Sequence, residues 1–161
     1  MIVVSDASPL IGLAKAQKLR LLFLLYGQVI IPPQVYTDVA VNGRGRAGSR
    51  VVRHAVSAGW LRVLPVSDSL LIPRQFSGTG EGEAIALARE LHADLILIDD
   101  RAARNECARL RLHWLSTGAI IVDARRAGLI LRVRPIFDRM QSKGFGIWNY
   151  EDLLKAVGEW P

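Results

Sequence analysis

Residues 80–104 read GEGEAIALARELHADLILIDDRAAR, and their pattern predicts a helix, a strand and the start of another helix. In the first part, Glu81–Leu91, apolar residues recur at helical spacing and form one face. The next part, Leu95–Ile98, is an uninterrupted apolar run, which is typical of a parallel strand buried on both sides. Two acids follow it, and Arg101–Leu110 has the pattern of a helix. This order predicts an α/β fold with a parallel sheet.

The same alternation of apolar runs and helical segments extends in both directions along the chain. We predict further strands at Met1–Ser5, Val29–Ile31, Trp60–Leu64 and His113–Leu115. We predict further helices after Pro9, after Pro33 and over Val51–Ala58, Ala119–Ala127, Arg134–Lys143 and Tyr150–Val157. The chain has 161 residues with no repeat and no dividing linker, so we expect a single domain over residues 1–161. The expected architecture is a parallel-sheet α/β/α sandwich.

The composition limits the class of protein. Hydrophobic residues make up 50% of the chain, which is enough to form a sizeable core. Cys107 is the only cysteine, and this suits a reducing, cytoplasmic compartment. The N-terminus has no basic region and soon meets an acid, so a signal peptide is not expected. No apolar segment reaches the roughly 20 residues of a spanning helix, and no membrane association is expected.

The charge of the chain is basic. The formal net charge is +6, and 17 of the 21 basic residues are arginine. Guanidinium groups make paired contacts with phosphate, so a polyanionic partner fits this composition. Arginine that reflects only genome composition or surface solubility explains the charge about equally well.

Three acids follow predicted strands. Asp6 comes after the first strand, while Asp99 and Asp100 come after Leu95–Ile98. The carboxyl ends of parallel strands lie at one edge of a sheet, where ligands bind. Each acid alone is explained by helix capping. However, we expect Ser8 to cap the first helix in place of Asp6, and one cap needs only one of the later pair.

Three further acids lie on predicted helices. Glu81 shares the core-facing side of its helix, while Glu83 points about 200° away and is expected to face water. Asp38 lies between Val35 and Val39 on the inner face of another helix. An acid on an apolar face is costly unless it is paired or bound to a metal. For either Glu81 or Asp38, the alternative explanation is an arginine partner or a position just beyond the buried edge.

Acids that converge on one edge repel one another, and a divalent cation would relieve that repulsion. Oxygen ligands suit Mg²⁺ or Mn²⁺ rather than zinc, and His54, His92 and His113 show no ligand spacing. The Gly-rich stretch 78–82 lacks the lysine of a phosphate-binding loop. A metal held by carboxylates favours nuclease or phosphatase chemistry. The basic charge favours a nucleic acid over a small phosphate ester.

Several motifs together resemble one known family. These are SDASPLIGLAK (5–15), IPPQVYTDV (31–39) and GEGEAIALARELHADLILIDDRAAR (80–104). They resemble the PIN-like nucleases, and most closely the short prokaryotic proteins related to VapC-type toxins. The similarity continues through AGLI (127–130) and KGFGIW (143–148), so it covers nearly the whole chain.

The resemblance implies an α/β/α sandwich and a ribonuclease that depends on Mg²⁺ or Mn²⁺. It implies that the family's acidic positions are Asp6, Asp38, Glu81 and one of Asp99 and Asp100, with the spacing from Glu81 favouring Asp99. This chain has Asp38 where the family commonly has the longer glutamate. It also implies a hydroxyl near the site from Ser116-Thr117-Gly118, and a small antitoxin protein as partner.

Our main hypothesis is an endoribonuclease, the toxin of a toxin–antitoxin pair, that cuts RNA with metal-activated water. Asp6, Glu81 and Asp99 hold the metal, with Asp38 and Asp100 nearby. Substrate contacts are expected from the three residues Arg101, Arg104 and Thr117. For the two arginines, pairing with the same acids or with Glu106 is about equally favoured.

Two alternatives belong to other classes. One is a PIN-like binding module that has lost hydrolysis, for which Asp38 is the only support in the sequence. The other is a Mg²⁺-binding receiver-like signalling domain, although the acidic pair lies late in the chain and lysine is rare. The leucines of residues 19–25 are explained by core packing or, less well, by a homodimer surface.

Overall fold

The structure is a computed structural model, and it describes residues 1–161. Five short strands form one parallel sheet in the order β3-β2-β1-β4-β5. The strands are β1 (Val3–Ser5), β2 (Val29–Ile31), β3 (Leu61–Val63), β4 (Leu95–Leu97) and β5 (Trp114–Leu115). The first strand of the chain is therefore central and has β2 on one side and β4 on the other.

Nine α-helices connect and cover these strands. They are α1 (Ala7–Lys15), α2 (Leu21–Tyr26), α3 (Pro33–Tyr36), α4 (Ser49–Ser57), α5 (Gly80–Glu90), α6 (Arg101–Arg109), α7 (Thr117–Arg126), α8 (Arg134–Ser142) and α9 (Tyr150–Ala156). Helix α3 continues directly into a π-helical turn over Thr37–Val41. Short 3₁₀ turns at Ser69–Leu71 and Arg74–Phe76 lie in the long connection before α5.

Two hydrophobic clusters fill the two sides of the sheet. Alternate residues of a strand point to opposite faces, so Val3 packs into one cluster and Val4 into the other. The smaller cluster takes its helical residues from α5 and α6, including Ile85 and Cys107. The larger cluster takes its helical residues from the other helices. Helices on both faces explain why β2 and β4 are apolar at every position, and they confirm the predicted α/β/α sandwich.

The sequence places all five strands correctly, and their ends differ by at most two residues. One prediction about the first helix is wrong: Ser8 is not its cap. The N-cap residue is Asp6, because helical geometry begins at Ala7, and the Asp6 side chain makes no capping hydrogen bond. Ser8 lies inside α1, one residue before the buried Pro9.

The leucine-rich segment is mostly core. The side chains of Leu19, Leu21 and Leu22 are buried, whereas Leu24 is exposed. Core packing therefore accounts for three of the five leucines in this segment. None of the helices combines the length and the apolar character needed to cross a membrane.

Candidate active site

The two central strands bring two acids together at the carboxyl edge of the sheet. Ser5, the last residue of β1, is in register with Leu97, the last residue of β4. The backbone N–H of Asp6 donates to the Leu97 carbonyl at 2.9 Å, so Asp6 extends the strand pairing by one residue. Asp99 follows Leu97 by two residues. Adjacency of β1 and β4 thus places Asp6 and Asp99 at neighbouring strand ends. The sequence predicts that both acids lie at one edge of the sheet, but it does not predict that their strands are neighbours.

Asp6 is the most buried acid of the chain. Its side chain is 2% exposed, and its Oδ1 atom is buried with no hydrogen-bond partner. Its pKa is raised to about 7, chiefly by burial and also by the charges of Glu81, Asp99 and Asp38, while the nearby Ala7 backbone N–H acts in the opposite direction. An unpaired buried carboxylate oxygen is costly. No protein group satisfies this atom, which makes it a candidate ligand for a cation.

Asp38 faces Asp6 across the start of α5. A Cβ atom on Gly80 would lie 3.2 Å from Asp38 Oδ2 and 3.4 Å from Asp6 Oδ1, so glycine leaves room for both carboxylates. Asp38 Oδ1 accepts a hydrogen bond of 2.8 Å from Gln34 Nε2. The expected alternative of an arginine partner is not found, because Asp38 is in none of the ion pairs. Asp38 belongs to the π-helical turn, a distortion that often occurs at functional sites.

The two glutamates of α5 have different surroundings. Glu81 lies in the first turn of the helix and acts electrostatically on Asp6. Glu83 is half-buried, and its Oε2 atom accepts the backbone N–H of Gln34 at 3.0 Å. The prediction that Glu83 faces water is therefore wrong. Glu83 accepts a backbone N–H in the first turn of α3, because the N-cap residue Pro32 has no side chain that can do so.

The adjacent pair Asp99 and Asp100 also divides into two roles. Asp100 is exposed, and its Oδ2 atom accepts the Ala103 N–H at 2.8 Å as the N-cap of α6. Asp99 accepts two hydrogen bonds from Thr117, 2.7 Å from its N–H to Oδ1 and 2.6 Å from its hydroxyl to Oδ2. Burial raises the pKa of Asp99, and the Thr117 hydrogen bonds and the Arg104 charge oppose that rise.

Thr117 therefore does something other than the sequence predicts. The residue is fully buried at the first position of α7, and both its donors are used by Asp99. The sequence predicts that Thr117 contacts the substrate directly. In the structure it holds the carboxylate of Asp99 in position instead. The hydroxyl expected near the site from Ser116-Thr117-Gly118 is present, but it faces inward.

The two predicted substrate arginines also differ. Arg101 is exposed at the start of α6, while Arg104 is 5% exposed and its Nε atom has no hydrogen-bond partner. Neither forms an ion pair, and Glu106 pairs with Arg109 instead. Arg104 lies over the rings of Trp114 and Trp148. The pairing of these arginines with Glu106, one of the two expected roles, is therefore absent.

The sequence missed the residues that support the acids. Gln34 precedes Asp38 by four residues on one helical run, and this spacing could have indicated their contact. Glu83 was placed by the phase of its own helix alone, which says nothing about the neighbouring α3. Trp148 lies in the KGFGIW motif, but nothing in the sequence indicates that it reaches Arg104.

The donor set fits a divalent cation, though the acids are not closed around one. No three of the His, Cys, Asp and Glu side chains stand close enough together to hold an ion. Ligation by three acids would require side-chain rotation. The unpaired Oδ1 of Asp6, facing Asp38 and influenced by Glu81 and Asp99, is the feature that a cation would satisfy. All four donors are carboxylates, which suits Mg²⁺ or Mn²⁺.

The fold and the acidic edge define a class, α/β sandwiches with a carboxylate cluster at the ends of the central strands. One solved structure has a similar fold, that of a PilT N-terminus domain protein from the hyperthermophilic archaeon Sulfolobus solfataricus P2. The TM-score is 0.54 at 18% identity, and the similarity covers 77% of this chain and 93% of that chain. At this identity, the similarity establishes the fold.

Sequence comparison then gives the family. The chain matches the family DUF3368, described as a PIN domain, over residues 2–159. It therefore belongs to the PIN domain family, whose members are commonly nucleases. No curated protein matches the chain. The predicted membership of the PIN-like family is confirmed, and the receiver-like alternative is set aside.

Proposed function

We propose that the chain is an endoribonuclease that requires Mg²⁺ or Mn²⁺. The observation that carries this proposal is the buried, unpaired Oδ1 atom of Asp6 at the centre of an acidic cluster. A carboxylate in that position destabilises the fold unless something binds it. Sites that keep such unfavourable groups are typically functional.

Four acids would hold the ion, namely Asp6, Asp38, Glu81 and Asp99. We do not include Asp100, because its carboxylate caps α6 and is exposed. When bound, Mg²⁺ or Mn²⁺ would supply positive charge that neutralises these carboxylates and the phosphodiester, and would lower the pKa of a water that attacks phosphorus.

The chain's own residues hold the acids in place. Thr117 fixes both oxygens of Asp99, and Gln34 fixes one oxygen of Asp38. Glu83 in turn holds the Gln34 backbone. The Oδ2 atom of Asp38 and the Oδ1 atom of Asp6 then remain on the Gly80 side of the site. Supporting contacts of this kind preserve the orientation of metal ligands.

The substrate side of the proposal rests on charge. Arg101 is exposed directly after the acidic pair and is free of ion pairs, so it is available for a phosphate next to the scissile one. The formal net charge of +6 favours a polyanionic substrate.

The test is cleavage of a structured RNA with Mn²⁺, comparing the wild type with Asp6→Asn. We expect the wild type to cleave, and we expect EDTA or the substitution to abolish cleavage. Asp68→Asn is the matched control, since Asp68 is an exposed acid that only caps a 3₁₀ turn. Equal cleavage by wild type and Asp6→Asn would remove the basis of the assignment.

A second candidate is a PIN-domain binding module without hydrolysis. It is favoured by one observation, that no three acids stand close enough to hold an ion. Calorimetric titration with Mn²⁺ separates the two candidates. Binding that depends on Asp6 supports the nuclease, whereas no binding, or binding unchanged in Asp6→Asn, supports the module.

We also propose that the protein acts as a toxin with a small antitoxin partner. The support is the similarity of its motifs to VapC-type toxins. Expression in a bacterial host should stop growth, and co-expression of the adjacent gene should restore it. Normal growth on expression of an RNA-cleaving protein would refute the toxin role and leave the nuclease role intact.

A further inference from the structure

Trp148 is an exposed aromatic residue at the end of the KGFGIW motif. It is 47% exposed, and the Arg104 guanidinium lies 3.9 Å from its ring centroid. Trp114 meets it edge to face, with ring centroids 5.9 Å apart. One part of the Trp148 ring is thus covered by a cation and a second ring, while the rest is open to solvent.

The cation behind Trp148 connects it with the acidic cluster. Arg104 acts electrostatically on both Asp99 and Asp100. It also stacks on Trp114, which lies on the strand that leads to Thr117, the partner of Asp99. Arg104 is buried, and its Nε atom has no partner among the protein atoms. Trp148 therefore lies beside the Asp99 side of the cluster.

The segment that carries Trp148 is fixed to the helices beneath it. Phe145 lies so close to α1 that a Cβ atom on Gly12 would be 2.6 Å from its ring. Ile147 approaches α7 at Gly118, where a Cβ atom would be 3.0 Å from its side chain. Both helices have glycine at the contact, and the side chains before Trp148 are partly buried in the larger cluster. The tryptophan is therefore presented by an anchored segment.

We propose that Trp148 is a stacking platform for one unpaired base of the RNA, next to the phosphate at the acidic cluster. This inference rests on the proposed nuclease function, since it places the base in relation to that site. An exposed indole offers a π-face to any unstacked base, and a cation at the ring favours a neighbouring phosphate. A base inside a duplex cannot stack in this way.

The test is binding of a short single-stranded RNA, measured by fluorescence anisotropy with EDTA present so that no cleavage occurs. We expect Trp148→Ala to weaken binding by about 10-fold or more, and Trp148→Phe to retain most of the affinity. A duplex of the same sequence should bind equally to wild type and Trp148→Ala. Melting temperatures of all variants show whether the fold is retained.

The chain offers a matched control in a second Arg–Trp pair. Trp160 is also exposed and stacks with Arg134, and Arg134 does not act on the pKa of Asp6 or Asp99. Trp160→Ala should bind single-stranded RNA as the wild type does. A loss in Trp160→Ala equal to that in Trp148→Ala would overturn the proposal, because it would indicate a general aromatic effect.

Abasic substitution along the RNA locates the contact. One abasic position should weaken binding of the wild type but leave Trp148→Ala unaffected, since both changes remove the same stack. If the affinities of Trp148→Ala and wild type agree for every RNA, the platform does not exist. In that case retention of a protein partner by the wild type and its loss in Trp148→Ala would assign the surface to a protein.

The two proposals fail in different measurements. If single-stranded RNA binds through Trp148 but is not cleaved with Mn²⁺, the platform stands and the nuclease function falls. If Trp148→Ala binds and cleaves as the wild type does while Asp6→Asn is inactive, the nuclease stands and the platform falls. A wild type that does not bind single-stranded RNA overturns the platform outright.

Discussion

At the scale of single residues, Asp6 couples stability to pH. Its pKa is about 7 in the folded protein and ordinarily 3.8, so the folded state holds a proton that the unfolded chain releases. In the metal-free protein, the contribution of Asp6 to stability should therefore be greatest below about pH 4, and it should be lost as the pH rises to about 7. Asp6→Asn removes the charge, and its amide can donate to the neighbouring carboxylates.

We accordingly expect Asp6→Asn to raise the free energy of unfolding at pH 8, by up to about 4 kcal/mol. The gain should shrink towards pH 4. Urea unfolding in EDTA between pH 4 and 8 measures it. The exposed Asp68→Asn control should keep the wild-type pH profile. A less stable Asp6→Asn protein at pH 8 would mean that the ionised Asp6 carboxylate does not destabilise the folded protein.

Asp99 and Asp100 have different roles, and the sequence alone does not show which acid has which role. The sequence shows that one cap needs only one of two adjacent acids. Which of them is the cap depends on where helical geometry begins, and the sequence leaves a choice of one or two positions. Asp100 is the N-cap, which leaves Asp99 to turn towards Thr117.

A matched set of substitutions checks this division. Asp100→Ala should lose about 1 kcal/mol of stability with the cap, whereas Asp100→Asn should keep the cap. Neither should change Mn²⁺ affinity by more than a few-fold. Asp99→Asn should lose Mn²⁺ binding, and Thr117→Val should weaken it by about 10-fold because one oxygen of Asp99 loses its donor. Calorimetry would contradict this assignment if Asp100→Asn were the variant that loses the metal.

At the scale of elements, the close packing of α1 depends on the helical glycine Gly12. Glycine inside a helix is ordinarily about 1 kcal/mol worse than alanine, so Gly12→Ala in α1 would stabilise an isolated helix. Here the new Cβ atom would be 2.6 Å from the Phe145 ring, a rigid group that cannot fold away. We expect Gly12→Ala to cost about 1–3 kcal/mol instead, measured by urea unfolding.

Gly146→Ala is the control for that substitution. It lies one residue after Phe145 in the same segment, has no atom within 4 Å of an added Cβ, and has no left-handed backbone. Its stability should remain near that of the wild type. A stabilised Gly12→Ala protein would show that Phe145 can leave α1 at little cost.

The contacts between elements mark the limit of what helical periodicity predicts. The phase of α5 correctly places the buried Ile85 on the core side, but Glu81 and Glu83 are both half-buried. It cannot show that α3 begins beside Glu83, because that depends on the register of two helices far apart in sequence. Glu83, which the sequence predicts to face water, therefore accepts a hydrogen bond from Gln34.

At the scale of the whole molecule, the sequence predicts the layers but not the order of the strands. Continuous apolar runs between helices identify a parallel sheet covered on both faces, and this is found. The order depends on which strands pair over long distances, and short apolar strands such as β1 and β4 are too alike to specify partners. Pairing of these two strands is what brings Asp6 to the Asp99 side of the sheet.

The reactivity of the single thiol, Cys107, reports how often the smaller hydrophobic cluster opens to solvent. Cys107 is fully buried between α6 and the sheet, and burial raises its pKa to about 12. A thiol reacts as its thiolate, so native Cys107 should not be labelled by an aromatic disulfide reagent at pH 8, and it should react at once in denaturant. In native buffer, the labelling rate should follow the population of opened protein. Ser142→Cys in a Cys107→Ala background provides an exposed thiol that must react immediately. Fast labelling of native Cys107, with no loss of helical signal, would mean that α6 opens independently and that Asp100 and Arg104 open with it.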